Sequence, residues 1–277
     1  MTTHFTTEKT AKYGLKVFLQ GWEPEGQPRA MVCLVHGLGD HSSRYEHVAA
    51  RLNQSGYALL AVDLRGHGKS EGQRGHIDSI EDYLDNIDQL LEEARSRCPG
   101  KKLFLYGHSL GGVLVLYYSL KKETELAGVI ASSPALRTSL EKQKAKILLS
   151  RILGAILPSL SFPSGLDPTQ LSRDPEVVKT YINDPLVHNQ ASSGFASALL
   201  GILPWIFEHA EDFKWPLLIF HGTEDRIAYF SGSQEFASRV TGDCTLKLWE
   251  GLFHETHNEL EREKVFNTII EWLDSKV

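Results

Sequence analysis

Leu103-Phe104-Leu105-Tyr106-Gly107-His108-Ser109-Leu110-Gly111-Gly112 is the stretch from which the rest of the chain can be read. A short apolar run ends abruptly in Gly-His-Ser-Leu-Gly, and a segment of helical character, Gly112 to Lys121, follows at once. A strand, a tight turn and a helix are the context a G-x-S-x-G elbow needs to hold a serine hydroxyl above a sheet. Gly107 and Gly111 are expected because the helix passes close to the strand, leaving no room for a side chain. An ordinary serine in a strand-to-helix turn would not need glycine on both flanks. Ser109 is therefore the candidate nucleophile.

The rest of the chain is consistent with one large domain carrying an insertion. Its 277 residues are 42% hydrophobic, which is globular composition. The net charge is −6 and no dense Lys/Arg cluster occurs, so a nucleic-acid partner is not expected. Cys33, Cys98 and Cys244 lie far apart without a CxxC, which reads as buried thiols in a reducing, cytoplasmic compartment. The polar Met1 to Thr10 has no signal-peptide core, and His4 reads as part of a mobile tail. No segment reaches the ~20 apolar residues that span a bilayer. No obligate protein partner is indicated.

Apolar runs alternate with helical periods. Val17 to Leu19 reads as an edge strand, with further strands at Met31 to Val35, Tyr57 to Val62, Leu103 to Tyr106, Gly128 to Ala131, Leu217 to Phe220 and Leu246 to Trp249. Helices are expected at Arg44 to Gln54, Ile80 to Arg97, after Ser109, at Ser233 to Arg239 and at Glu261 to Asp274. The alternation predicts an α/β fold, a mostly parallel sheet covered on both faces. The rhythm breaks between Pro134 and Ala210, where two apolar segments, Ile147 to Leu160 and Phe195 to Phe207, flank a Pro- and Asp-rich connection. Residues 1–133 and 211–277 are accordingly read as the core, and 134–210 as an inserted, mainly helical cap.

A serine hydroxyl needs a base, and the base needs an orienting acid. The acid is sought in His221-Gly222-Thr223-Glu224-Asp225-Arg226, after a strand, with Asp225 preferred to Glu224. The base lies in Phe253-His254-Glu255-Thr256-His257; His254 is preferred and His257 is the alternative. Ser132-Ser133-Pro134 offers no acid after the preceding strand. Two backbone N–H groups must face the developing oxyanion. Leu110 follows the nucleophile, and the loop Val35-His36-Gly37-Leu38-Gly39 offers Leu38. His67 and His108 read as packed histidines. This chemistry needs no metal and no organic cofactor.

Together these segments resemble the monoacylglycerol lipase and lysophospholipase group of α/β-hydrolases. The resemblance rests on His36-Gly37-Leu38-Gly39-Asp40-His41-Ser42-Ser43-Arg44-Tyr45, Asp63-Leu64-Arg65-Gly66-His67-Gly68-Lys69-Ser70-Glu71-Gly72, the elbow, and His221 to Asp225. It extends to Leu171-Ser172-Arg173-Asp174-Pro175, Asn183-Asp184-Pro185-Leu186-Val187 and Phe253-His254-Glu255-Thr256-His257, nearly the whole chain. It implies the α/β-hydrolase fold, a catalytic triad of Ser109, Asp225 and His254, and an oxyanion hole of Leu38 and Leu110. It also implies that Asp40, Arg44 and His257 meet the glycerol end of the substrate. Asp40 stands where many members carry glutamate. The activity implied is hydrolysis of monoacyl lipid esters; lysophospholipase, broad carboxylesterase, Pro-specific peptidase and non-catalytic binding protein are the alternatives.

The cap bears on the acyl chain. Caps of this group cover an acyl tunnel and rest transiently on lipid surfaces, which would make the protein peripheral at membranes. Leu149, Ile152 and Leu199 are the expected wall residues, although apolar helical stripes also form by packing on a core.

Overall fold

The structure, a computed structural model, describes residues 3–139 and 144–277. Its centre is an eight-stranded sheet. The strands are β1 (Thr3–Thr10), β2 (Lys16–Glu23), β3 (Ala30–Val35), β4 (Ala58–Val62), β5 (Lys102–His108), β6 (Gly128–Ser132), β9 (Leu217–Gly222) and β10 (Cys244–Trp249), ordered β1-β2-β4-β3-β5-β6-β9-β10. The β1–β2 and β2–β4 pairs are antiparallel, and every pair from β4 to β10 is parallel.

Parallel strands covered on both faces must be apolar at every position. In β3, Met31, Cys33 and Val35 face one core cluster, and Ala30, Val32 and Leu34 the other. Helices α1 (Glu46–Gln54) and α8 (Arg262–Asp274) cover the second cluster through Val48, Leu52, Phe266 and Ile269. Helices α2 (Glu81–Arg97), α3 (Leu110–Lys121) and α7 (Phe230–Arg239) cover the first through Ile87, Leu114 and Phe236. The polarity of α2 suits its dipole, with Glu81 and Asp82 in the first turn and Arg95 and Arg97 in the last.

Two expectations at the N-terminus are corrected. Val17 to Leu19 belongs to β2, which is an inner strand because β1 pairs along its whole length. His4 is not in a mobile tail: it pairs opposite Trp22, with the two tilted rings 5.2 Å apart, and meets Gln20 at 3.1 Å. The threonine-rich β1 suits a half-exposed edge, and its polarity hid it from a search for apolar runs. The helix expected from Arg44 starts two residues later, after a single 3₁₀ turn at Ser42–Tyr45.

Between β6 and β9 the chain leaves the sheet. It forms α4 (Lys144–Ile156), β7 (Ser161–Pro163), α5 (Pro175–Asn183), β8 (Gln190–Ser192) and α6 (Ser193–Glu208), with β7 and β8 paired antiparallel. The Pro- and Asp-rich connection is a series of caps and turns. Asp167 accepts from Thr169 N–H, Asp174 caps α5 through Glu176 N–H, and Asp184 accepts from Leu186 N–H. Helices α4 and α6 meet at Gly154, where an added Cβ would lie 2.7 Å from Ser197 Cβ. That contact turns Leu148, Ile152 and Ile156, spaced four apart, outward; Ile152 is 47% and Ile156 69% exposed. Among the described residues no helix is long and apolar enough to cross a membrane.

Candidate active site

Ser109 sits between the end of β5 and the start of α3 at φ 54°, ψ −114°. A non-glycine residue there costs on the order of 1–3 kcal/mol, which the surroundings must offset. Ser109 N–H donates to Ser132 C=O at 2.9 Å, and the Ser109 carbonyl accepts from Val113 and Ala135. The flanking glycines have steric causes. A Cβ on Gly107 would lie 2.1 Å from the Gly111 carbonyl oxygen, and one on Gly111 would lie 2.0 Å from that of Val35. The helix thus crosses the strand ends at backbone distance.

The turn after β9 and the loop after β10 bring Asp225 and His254 together, both buried. His254 Nδ1 lies 2.6 Å from Asp225 Oδ2, and His221 Nε2 lies 2.9 Å from the same oxygen. Asp225 Oδ1 accepts from the N–H groups of Ile227 and Ala228 at 2.8 and 2.9 Å. Burial would push this carboxyl up. The His254 charge and the hydrogen bonds from both imidazoles overcome that and hold it below the ordinary carboxylate range. Burial lowers His254, yet the Asp225 carboxylate raises it above the ordinary histidine value. Glu224 is exposed and lies 4.0 Å from Arg226. Ser133, itself at φ 43°, donates its hydroxyl to the His254 carbonyl at 2.8 Å.

The loop after β3 lies against Ser109: a Cβ on Gly37 would be 3.3 Å from Ser109 Cβ. His36 fixes the loop from beneath. Its Nε2 accepts from Leu64 N–H at 3.0 Å, so Nδ1 carries the proton and donates to the Gly37 carbonyl at 2.7 Å. Leu110 opens α3, so its N–H has no intrahelical acceptor. Gly37, Leu38, Asp40, His108, Ser109, His254 and Glu255 line one cavity, closed from the cap by Leu166, Leu171 and Tyr181. Its volume is about 10 Å³, room for one water at most. A larger hollow of about 530 Å³ lies on α5 among Glu176, Lys179 and Asn183, and none of the expected site residues lines it.

Behind the cavity lies a buried ionic network. Arg44 donates to both oxygens of Glu255 at 2.7 Å and to Asp40 Oδ1 at 2.9 Å, with the Tyr181 ring 4.7 Å away. Asp40 also accepts from Tyr45 Oη at 2.8 Å and His41 N–H at 2.8 Å. Burial opposes both carboxylates, and the Arg44 guanidinium keeps each below the ordinary range. His257 is stacked on Tyr45 at 5.1 Å, and burial lowers its pKa to about 3, so it is neutral. Of the three expected head-group residues, Asp40 lines the cavity; Arg44 stands behind Asp40 and Glu255, and His257 behind His108.

A profile of the family described as serine aminopeptidase, S33, matches residues 26–261. The chain belongs to this family of α/β-hydrolases. Over 262 residues it is 40% identical to an uncharacterized abhydrolase domain-containing protein of Dictyostelium discoideum, covering 94% of this chain and 28% of that protein. It is 33% identical to a monoacylglycerol lipase of Mycolicibacterium smegmatis, covering 95% of this chain and 94% of the relative. The crystal structure of a monoacylglycerol lipase of Paleococcus ferrophilus superposes with a TM-score of 0.85 at 37% identity, covering 99% of this chain and all of that one.

In this α/β-hydrolase the acyl-wall expectations map unevenly. Leu199 packs against the main core and Ile152 faces outward, while the side chain of Leu149 lies outside the described residues. The apolar residues over Ser109 are instead Leu38, Leu166 and Leu171. Sequence reasoning also assigned no role to Glu255, Tyr181 or His221. His221 and Glu255 stood inside quoted motifs, but only the fold shows what they touch. Of the cap residues, Leu171 and its neighbours stood in a quoted motif, while Leu166 and Tyr181 had no local signal. They reach the site because Glu255 N–H donates to Leu171 C=O, Ser172 Oγ donates to Asn258 C=O and Arg173 pairs with Glu259.

Proposed function

We propose that this hydrolase cleaves carboxylic esters of monoacyl lipids, monoacylglycerols foremost, through an acyl-enzyme on Ser109. The observation that carries the reading is the single cavity in which strained Ser109, the Asp225-paired His254 and the Gly37-Leu38 loop meet. The likeness to proteins named monoacylglycerol lipase supports the substrate class. His254 Nε2 takes the Ser109 proton as Oγ attacks the ester carbonyl. The N–H groups of Leu38 and Leu110 stabilise the oxyanion. His254 then returns the proton to the departing alcohol. Water, deprotonated by His254, attacks the acyl-enzyme, releasing the fatty acid and restoring Ser109. Asp225 holds the tautomer that leaves Nε2 free.

The test is a hydrolysis panel of monoacylglycerol, lysophosphatidylcholine, diacylglycerol, a p-nitrophenyl ester and a Pro-containing aminoacyl amide. Monoacylglycerol should give the highest kcat/KM and the amide none. A protein that cleaves the aryl ester but no monoacyl lipid has the chemistry without the substrate class. Asp40→Ala should lower kcat/KM for monoacylglycerol about tenfold, the effect of roughly 1–2 kcal/mol for a lost polar contact. The same change should cost much less on the aryl ester of equal chain length. Equal losses would make Asp40 a support of the fold alone.

The cap is read as the face that meets lipid. Leu148, Ile156, Leu157 and Leu160 are between 45% and 69% exposed on and just beyond α4. Fully burying one such side chain contributes about 1.5–3 kcal/mol. Leu148→Ser with Ile156→Ser should therefore weaken adsorption to phosphatidylcholine vesicles by at least about tenfold, with turnover of a dissolved aryl ester retained. Unchanged sedimentation with vesicles would remove the cap as the docking face. The three cysteines are free, which supports action in a reducing, cytoplasmic compartment.

A further inference from the structure

We infer that Glu255 makes the leaving-group side of this site selective for neutral polyol heads and closes it to anionic, phosphate-bearing ones. The inference rests on the monoacyl-ester reading and narrows it. His254 protonates the departing alcohol, so the head group lies on the His254 side of Ser109. Glu255 is the next residue, is 2% exposed and lines the same cavity as Asp40.

The charges on that side do not balance. Two carboxylates, Asp40 and Glu255, face one guanidinium, Arg44. The guanidinium is held by both: Nη1 donates to Asp40 and Glu255, Nη2 donates to Glu255, and Tyr181 lies over it. The rings of His257, His108 and His254 supply no compensating cation. His257 and His108 are buried and neutral, and His254 must be neutral to accept the Ser109 proton. A phosphate entering here would lose its water and meet an excess of negative charge.

A hydroxyl fares differently because it can donate. Asp40 Oδ1 holds Arg44 and His41 N–H, and Asp40 Oδ2 holds Tyr45 and, at 3.5 Å, Gly37 N–H. Glu255 Oε2 holds Arg44 and Asn258. Glu255 Oε1 holds Arg44 Nη1 as its donor among the described residues. A carboxylate oxygen has two acceptor sites, so Oε1 has one left for a substrate hydroxyl. Glu255 thus both welcomes a glycerol head and excludes its phosphate.

The test uses octanoyl compounds below their micellar concentrations, at neutral pH and 0.15 M salt. kcat/KM is measured for 1-monooctanoylglycerol and for its 3-phosphate. Separately, the octyl ether of glycerol and the 3-phosphate of that ether are compared as competitive inhibitors of aryl-ester turnover by the wild-type protein. Each neutral compound should be preferred at least tenfold. In Glu255→Gln the ratio of neutral to anionic kcat/KM should fall at least tenfold, with folding checked by Tm and fluorophosphonate labelling. Equal use and equal inhibition in the wild type would overturn the inference while leaving the monoacyl-ester reading intact. A folded Glu255→Gln with an unchanged ratio would overturn the role of Glu255. Aryl-ester turnover without any monoacylglycerol turnover would overturn the substrate reading, and this inference with it. Should the variant not fold, the wild-type inhibitor pair decides alone.

Discussion

Ser109→Ala is expected to abolish covalent labelling by a fluorophosphonate and to lower ester turnover by roughly 10³- to 10⁶-fold, because members of a catalytic unit do not contribute additively. Ser109 stands on the left-handed turn, and the Gly37-Leu38 loop lies against it. The variant should keep its fold, since removing one Oγ leaves the backbone bonds of Ser109 to Ser132, Val113 and Ala135 in place. A small gain in Tm is compatible with this outcome, as active-site geometry is commonly held against stability. Mass spectrometry of the labelled wild-type protein decides the matter. A phosphonyl group on any serine other than Ser109 would displace the assignment.

What could be read from the chain divides along physical lines. The inner parallel strands were legible because they are buried on both faces and so appear as apolar runs, as in Met31 to Val35. The elbow was legible because Gly107 and Gly111 answer contacts of the adjacent turn and strand ends, repeated wherever this geometry recurs. Strand β1 was not. Its half-buried positions are Phe5, Thr7 and Lys9, only one of them apolar, and its partner strand supplies the stability. The Arg44–Glu255 pair was invisible for another reason. Its partners lie 211 residues apart, and no pattern near either one marks the other.

The cap shows the same limit at larger scale. Its apolar segments were evident, but which face of α4 turns inward depends on the contact of Gly154 with Ser197 in α6. That contact sends Ile152 outward, away from the cavity where wall residues were expected. The link from Leu171, Ser172 and Arg173 to the His254 loop gives a physical reason for a motif first noticed only as a likeness. The segment that lines the cavity over Ser109 is thus tied directly to the loop carrying the base.

His254→Ala is expected to be as damaging as Ser109→Ala on a p-nitrophenyl ester, whereas His257→Ala should stay within about tenfold of the wild type on that ester. The two histidines differ in surroundings more than in sequence. His254 meets the Asp225 carboxylate at 2.6 Å; His257 stacks on Tyr45, and burial leaves it neutral. As a general base His254 must be unprotonated. Because Asp225 raises its pKa, the acid limb of kcat/KM should lie above the ordinary histidine value of about 6.5. Activity should rise as pH passes upward through that limb. Asp225→Asn should cost about 10⁴-fold, as expected when the wrong tautomer is favoured. The acid limb that remains should move to lower pH, since the charge that raised His254 is gone. The amide can be held in two ways. One turns NH₂ toward His254 Nδ1, which accepts only in the wrong tautomer, with Nε2 protonated and useless as a base. The other turns NH₂ toward the Ile227 and Ala228 N–H groups and leaves buried donors facing one another, at about 1–3 kcal/mol. A pH–rate profile whose acid limb stays in place in Asp225→Asn would mean that this carboxylate does not set the base. If His257→Ala proved the more damaging histidine change, the proton would travel by the other ring.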